Sequence, residues 1–232
     1  MDLRAVKAAT VAELAGYAIA AARNAQGLLH DAEVLARAGC TARAYSLAVL
    51  AVEECGKGGS LAALAVIPKS VRARAPVARL LEWHQLKLLG GMLLALAPVG
   101  CVPSKVVAMP AAELAEILRS VDAPAEEADR LKRRGFYVDM DRGGRIREPS
   151  EINQAELAGL LARARRAVTS ASVLLSQDSP ARLAHPPAGQ VELARAVVNA
   201  LAEDQGPWTP EAAVAVMRNV ASKIQRERSG QS

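Results

Sequence analysis

The sequence predicts an all-α protein: an up-and-down helical bundle with a short hairpin or loop insertion and a C-terminal helical appendage. Hydrophobic residues make up 51% of the 232 residues, mostly Ala, Leu and Val, whereas aromatic residues make up only 3%. This composition favours closely packed helices, because alanine and leucine are strong helix formers and the residues that build sheets are scarce. Apolar residues also recur at helical spacing along most of the chain.

Glycine and proline residues divide the chain into helical stretches. Before residue 177 we expect helices over residues 3–38, 41–65, 76–97, 111–134 and 150–176. Thr41 is the expected cap of the second helix, and Ser150 is the expected start of the last one. Between the last two of these helices, residues 135–149 carry alternating apolar residues around Gly143 and Gly144. This pattern predicts a hairpin or an extended loop.

Proline content predicts the domain organisation. Residues 178–190 contain three prolines and are interpreted as a linker. This linker would separate a helical domain over residues 1–177 from a C-terminal appendage of two helices within residues 191–228.

Cysteine usage and hydropathy indicate a cytoplasmic protein. Cys40, Cys55 and Cys101 are odd in number, lack C-x-x-C spacing and lie among apolar residues, so we expect reduced thiols. The longest apolar run, residues 88–102, falls short of the roughly 20 residues that span a bilayer. Glu13 interrupts the apolar start of the chain, so no signal peptide is expected.

Two adjacent carboxylates, Glu53 and Glu54, stand in the apolar second helix. With about 100° per residue, Leu47 and Leu61 lie within about 20° of Glu54 around the helix. The pattern therefore predicts that Glu54 points into the core. A buried ionised carboxylate is costly unless it is paired, so Glu54 requires a partner.

Glu53 is expected to form an i,i+4 pair with Lys57 on the flank of the same helix. Three glycines lie beside this pair: Gly56, Gly58 and Gly59. Glycine destabilises a helix unless something approaches closely, so this surface is expected to meet either another helix or a ligand.

Polar residues also interrupt the apolar faces of two other helices. His84 lies in an apolar stripe of the third helix, one turn before Lys87, and Asn24 lies in a stripe of the first helix. An imidazole beside a carboxylate forms a pair suited to proton transfer near neutral pH. We therefore expect Asn24, Glu54 and His84 to converge in one polar pocket. Core polar groups that fix helix register remain an equal alternative.

Basic residues cluster in the segment from residue 130 to residue 147. Seven basic and two acidic residues lie there, an excess that equals the net charge of +5 of the whole chain. Such a cluster is a candidate site for the RNA backbone, and a solvated connecting segment is the equal alternative. The candidate RNA-binding residues are Arg130, Lys132, Arg133, Arg134, Arg142, Arg145 and Arg147.

Several motifs resemble the AbiV type of abortive-infection protein, a branch of the HEPN superfamily, over roughly residues 8–175. They are Asn24-Ala-x-x-Leu-Leu-x-Asp-Ala-Glu33, the Glu53-Glu54-x-Gly56-Lys57 element, His84-x-x-Lys87, and Lys132-Arg-Arg-Gly-Phe-Tyr-Val-Asp139 followed by Gly144 and Pro149. The resemblance implies a helical bundle, often dimeric, that shuts down growth or translation in a phage-infected bacterium.

Many members of the wider superfamily are metal-independent ribonucleases with an arginine and a histidine separated by four to six residues. Arg23 and His30 satisfy a spacing of this kind, but they lie on the first helix, outside the expected place of that motif. They also point away from the stripe of Asn24. Two solvated side chains are therefore the simpler interpretation of Arg23 and His30.

Three functional hypotheses follow. In the first, the protein is an RNA-directed effector that needs no metal or other cofactor, His84 transfers protons, and Lys57 and Lys87 stabilise phosphate charge. Its partners would be RNA or a ribosome-associated target, a phage protein as trigger and a second copy of the chain. In the second, it is a non-catalytic interaction protein with a buried polar network. In the third, Asp31, Glu53, Glu54 and His84 ligate a divalent metal in a nucleotide hydrolase.

Overall fold

The computed structural model describes residues 3–72, 81, 84–96, 127–133, 135–136, 139–140, 143–144, 146–147, 152–176, 179–185 and 191. The helices in these ranges are α1 (Leu3–Ala8), α2 (Val11–Arg37), α3 (Thr41–Val66), α4 (Lys69–Arg72), α5 (His84–Leu96), α6 (Gln154–Leu174) and α7 (Ser179–Ala184), and residues 127–133 are also helical. The strands β1 (Asp139–Met140) and β2 (Ile146–Arg147) pair antiparallel. This confirms the predicted all-α class with a hairpin insertion.

Three predicted helical regions lie wholly or partly outside the described residues. They are the start of the third helix near Pro76, most of the expected helix over residues 111–134, and the two C-terminal helices beyond residue 191. None of the helices within the described ranges combines the length and the apolar character that a membrane span requires.

Two capping boxes place helix starts that the sequence analysis missed. The Thr10 hydroxyl accepts a hydrogen bond from the backbone N–H of Glu13, and the Glu13 carboxylate accepts one from the backbone N–H of Thr10. This cap divides the predicted helix over residues 3–38 into α1 and α2. Asn153 and Glu156 form the same box at the start of α6, three residues after the expected start at Ser150.

The long helices form an up-and-down bundle. A tight turn joins α2 to α3, where Gly39 adopts a φ of 75°, a conformation that glycine takes without strain. At the other end of this pair, Gly58 of α3 lies against Ala18 of α2, so α2 and α3 are antiparallel. The α3 and α5 helices are also antiparallel, because Val52 faces Gly91 whereas Gly56 faces Lys87.

Helix α6 completes the bundle. It is antiparallel to α2, since Gln26 donates to the Ser172 hydroxyl at 2.8 Å and Arg165 pairs with Glu33 at 2.7 Å. Gln154, the first residue of α6, bonds Thr41, the first residue of α3, so these two helices are parallel. Helix α3 contacts α2, α5 and α6 and is therefore buried on most of its circumference.

Residues 179–184 belong to the predicted linker, but in the structure they form the helix α7. Pro180 is the second residue of α7, and proline is favoured in the first turn of a helix. Leu183 of α7 packs against the core, and α7 contacts α2 and α3. The described part of the predicted linker is thus attached to the bundle.

Gly56 and Gly91 allow α3 and α5 to approach closely. A Cβ atom on Gly56 would overlap the carbonyl oxygen of Lys87, and one on Gly91 would overlap the carbonyl oxygen of Val52. Both obstructions are backbone atoms, which cannot move aside as a flexible side chain can. The close crossing brings the middle of α3 next to the start of α5.

We expect Gly56→Ala to lower the free energy of unfolding by about 1–3 kcal/mol, because the helices must separate to admit the methyl group. Gly27→Ala is the matched control, since Gly27 lies on α2 with open space around it. Alanine there is expected to stabilise the protein by up to about 1 kcal/mol. Urea unfolding of the two variants measures both effects, and equal stability of the two would contradict the close crossing.

Alkaline pH is expected to destabilise the fold through Cys55 and Tyr45. Burial raises the pKa of each side chain to about 12. Between about pH 9 and about pH 12 the unfolded chain therefore releases these protons before the folded chain does, so the free energy of unfolding falls as pH rises. Urea unfolding across this range should show a shallower fall for Cys55→Ala and for Tyr45→Phe than for the unchanged protein. An unchanged slope in both variants would contradict this cause.

Candidate functional site

Glu53 is the buried charge of α3, with a side chain that is only 4% exposed. Its Oε2 atom lies 2.8 Å from His84 Nδ1 and 3.8 Å from Lys87 Nζ, both on α5. Its Oε1 atom accepts a hydrogen bond from the Lys132 ammonium. We use the name Glu53 cluster for Glu53, His84, Lys87, Lys132 and Asp129, which also pairs with Lys132.

Glu54 does not point into the core, so the prediction for this residue is wrong. It is half-buried and pairs with Lys57 at 3.0 Å, one turn along the helix. The expected pair of Glu53 with Lys57 is therefore also wrong, and the two glutamates have exchanged their predicted roles. Helix α3 buries several faces, so the leucines beside Glu54 did not define its inward side.

His84 presents one ring edge to Glu53 and the other to solvent. Its side chain is 57% exposed, in contrast to the predicted buried position. An ionised carboxylate only accepts hydrogen bonds, so we assign the proton to Nδ1, which donates it to Glu53 Oε2 across 2.8 Å. This arrangement leaves Nε2 as the ring nitrogen available to an incoming ligand.

Lys132 is buried in the cluster and is not a free RNA-binding side chain, contrary to the prediction. Its Nζ lies 3.0 Å from Asp129 Oδ1 and 3.4 Å from His84 Nδ1, in addition to its bond with Glu53. Two carboxylates therefore compensate this buried ammonium.

The position of Lys132 depends on how residues 127–133 and 135–136 dock on α3. The Ser46 hydroxyl of α3 donates a hydrogen bond to the Lys132 carbonyl oxygen at 2.9 Å. Gly135, one turn later, lies so close to Ala42 and Ser46 that a Cβ atom there would overlap them. These two contacts fix the segment and aim Lys132 at Glu53.

The structure does not bring Asn24, Arg23 or His30 to the cluster. All three are exposed on α2, whose buried face consists mainly of alanines. The prediction that Asn24 shares a pocket with the glutamate and His84 is therefore wrong. Asp31 is exposed on α2 as well.

Two arginines of the basic segment lie at the surface beside the cluster. Arg130 pairs with Glu127, and Arg133 pairs with Asp129 at 3.2 Å. Arg134, Arg142 and Arg145 lie outside the described residues, and Arg147 lies in β2.

Asp129 is the functional candidate that the sequence analysis missed. It lies one helical turn before Lys132, between the buried residues Ala128 and Leu131. An acid and a base three residues apart on a partly apolar helix form a common surface pair. The only available signal, this spacing next to apolar neighbours, did not distinguish the pair from many others.

The Glu53 cluster has the geometry of a proton-transfer site. A buried carboxylate orients an imidazole whose other nitrogen is accessible, and two ammonium groups lie close by. The same cluster offers metal ligands, because one ligand atom each from Glu53, His84 and Asp129 lie within 4.8 Å of one another. Carboxylate oxygens and imidazole nitrogens are ligands that Zn²⁺ accepts.

Comparison with protein families supports the motifs described above. Residues 13–182 match the AbiV family model of HEPN proteins. This range includes every residue of the Glu53 cluster and extends through most of α7. Searches of curated proteins and of solved structures give no match. Because the match spans well over half of the chain, the chain belongs to the AbiV family of HEPN proteins.

Proposed function

We propose that this protein is an abortive-infection effector that acts on RNA, as a metal-independent ribonuclease whose proton-transfer group is His84. The observation that carries the proposal is the 2.8 Å contact between the buried Glu53 carboxylate and the exposed His84 ring. A carboxylate in this position fixes the tautomer and orientation of the ring and stabilises the imidazolium that forms during proton transfer.

The chemistry that fits this pair is attack by the RNA itself. His84 Nε2 takes the proton of a ribose 2′-hydroxyl, and the 2′-oxygen attacks the adjacent phosphorus. The bond from phosphorus to the 5′-oxygen breaks, and this oxygen receives a proton from the imidazolium, either directly or through a relaying water that is left unchanged. The products are a 2′,3′-cyclic phosphate and a 5′-hydroxyl end, with no net gain or loss of protons.

Two lysines, one on α3 and one on α5, would stabilise the charge on the phosphate. The Lys87 Nζ atom lies 3.8 Å from Glu53 Oε2, and the Lys87 side chain is 11% exposed. The Lys57 side chain is 26% exposed and pairs with Glu54. Arg130 and Arg133, with side chains 53% and 71% exposed, would contact the RNA backbone at the rim. Such contacts weaken as salt concentration rises.

Purified protein incubated with transfer RNA and ribosomal RNA tests the proposal. We expect cleavage that continues in excess chelator and leaves 2′,3′-cyclic phosphate ends, which ligation-based end mapping detects. The proposal would be overturned if RNA stayed intact at a protein concentration high enough for two copies of the chain to associate, and also after addition of extract from phage-infected cells.

Two observations favour other functions. The ligand set of Glu53, His84 and Asp129 favours a metal-dependent hydrolase, which chelator would inactivate and Mn²⁺ or Mg²⁺ would restore. The buried Glu53 and Lys132 pair favours a non-catalytic protein that binds a phage or host partner. In that case a folded His84→Ala variant would arrest growth of infected bacteria as well as the unchanged protein does.

A further inference from the structure

The Lys132 ammonium lies among three residues that could hold a metal ion. The three ligand atoms that could hold a cation belong to Glu53, Asp129 and His84. Lys132 Nζ contacts all three residues: it donates to Glu53 Oε1, lies 3.0 Å from Asp129 Oδ1 and lies 3.4 Å from His84 Nδ1. The lysine side chain is only 9% exposed, so the ammonium is held inside the cluster.

We propose that Lys132 is a built-in cation that occupies a divalent-metal site and thereby excludes metal from it. The ammonium supplies a positive charge to Glu53 and Asp129 that is permanently attached to the chain. The inference rests on the proposed function in one respect, since it explains how the site would work without metal. Its test is a binding measurement that requires no RNA.

Removing the ammonium is expected to open the site to Zn²⁺. In Lys132→Ala, two carboxylates and an imidazole would face an empty position, and they form a ligand set typical of zinc. His84 would move its proton from Nδ1 to Nε2 and bind the metal through Nδ1. Calorimetric titration at pH 7 should show one Zn²⁺ per chain, bound at least about tenfold more tightly than by the unchanged protein.

Lys57→Ala is the matched control. Lys57 also pairs with a carboxylate of α3, Glu54, but it is not part of the described ligand set. This variant should gain no zinc binding. The double variant Lys132→Ala/Asp129→Asn should lose most of the gain, because an amide is a poor zinc ligand.

A variant that is less stable than the unchanged protein still tests the inference, through its melting temperature. Lys132→Ala leaves two carboxylates without their cation, so Zn²⁺ should raise its melting temperature and should leave that of the unchanged protein unaltered. Lys132→Met, which keeps the apolar stem, provides a second background for the same titration. Equal zinc affinity in the unchanged protein and in both variants would overturn the inference.

A measurement on the unchanged protein needs no variant. With ¹⁵N-labelled lysine, the Lys132 ammonium protons should exchange slowly with water, because carboxylates bind them in a buried position. Exchange as fast as in the other lysines would show that the ammonium does not occupy the site. Neither the zinc titration nor the exchange measurement depends on RNA cleavage. Failure of this inference can therefore be distinguished from failure of the proposed function.

Discussion

Replacing His84 by alanine should slow RNA cleavage by about 10²–10⁴-fold, the usual contribution of a positioned general acid or base. The melting temperature should fall only modestly, because the His84 side chain is more than half exposed and Lys87 and Lys132 still compensate the Glu53 carboxylate. Cleavage rates and thermal unfolding measured on the same preparation separate loss of chemistry from loss of fold.

The other histidines provide controls for this result. His185 is exposed after α7, and His185→Ala should retain full activity. His30→Ala tests the alternative motif formed with Arg23 on α2. If His30→Ala abolished cleavage and His84→Ala did not, the proton-transfer role would belong to α2 and the assignment of His84 would be wrong.

Glu53→Gln should lower the free energy of unfolding by about 3–5 kcal/mol, because it leaves the Lys132 ammonium buried with only Asp129 as an anionic partner. In a protein of this size a loss of this order corresponds to a fall in melting temperature of about 10 °C. Glu54→Gln is the neighbouring control. The Glu54 pair with Lys57 is partly solvated, so this change should cost about 0–1 kcal/mol.

A double substitution distinguishes a buried ion pair from general sensitivity of α3. Glu53→Leu combined with Lys132→Met removes both charges, and such replacements are often neutral or stabilising. We therefore expect the double variant to be more stable than Glu53→Gln. If it were the less stable of the two, tight packing around α3 and not charge compensation would account for the loss.

Most of the fold in the described residues was predictable because its signals are local. Alanine and leucine periodicity gave the helices, Gly39 gave the turn between α2 and α3, and Gly143 with Gly144 gave the hairpin. The two misplaced helix starts also have local signals, because Thr10 with Glu13 and Asn153 with Glu156 form capping boxes that can be recognised in the sequence.

The candidate site was predictable only in part, because its assembly depends on tertiary contacts. The sequence indicated a buried carboxylate in α3 and its histidine partner in α5. It could not select Glu53 over Glu54, because an alanine-rich central helix is buried on several faces and angular position alone does not identify the charged one. Lys132 comes from a segment 79 residues away along the chain, and no local pattern assigns it to Glu53.

The ion pair between Glu53 and Lys132, which lie 79 residues apart along the chain, has a consequence for protein synthesis. Glu53 and His84 leave the ribosome well before Lys132 does, so a nascent chain holds its central carboxylate without the compensating ammonium. Fragments that end before residue 132 lack this ammonium altogether. The complete charge arrangement therefore arises only in a chain that has been translated at least as far as the segment that Ser46 anchors.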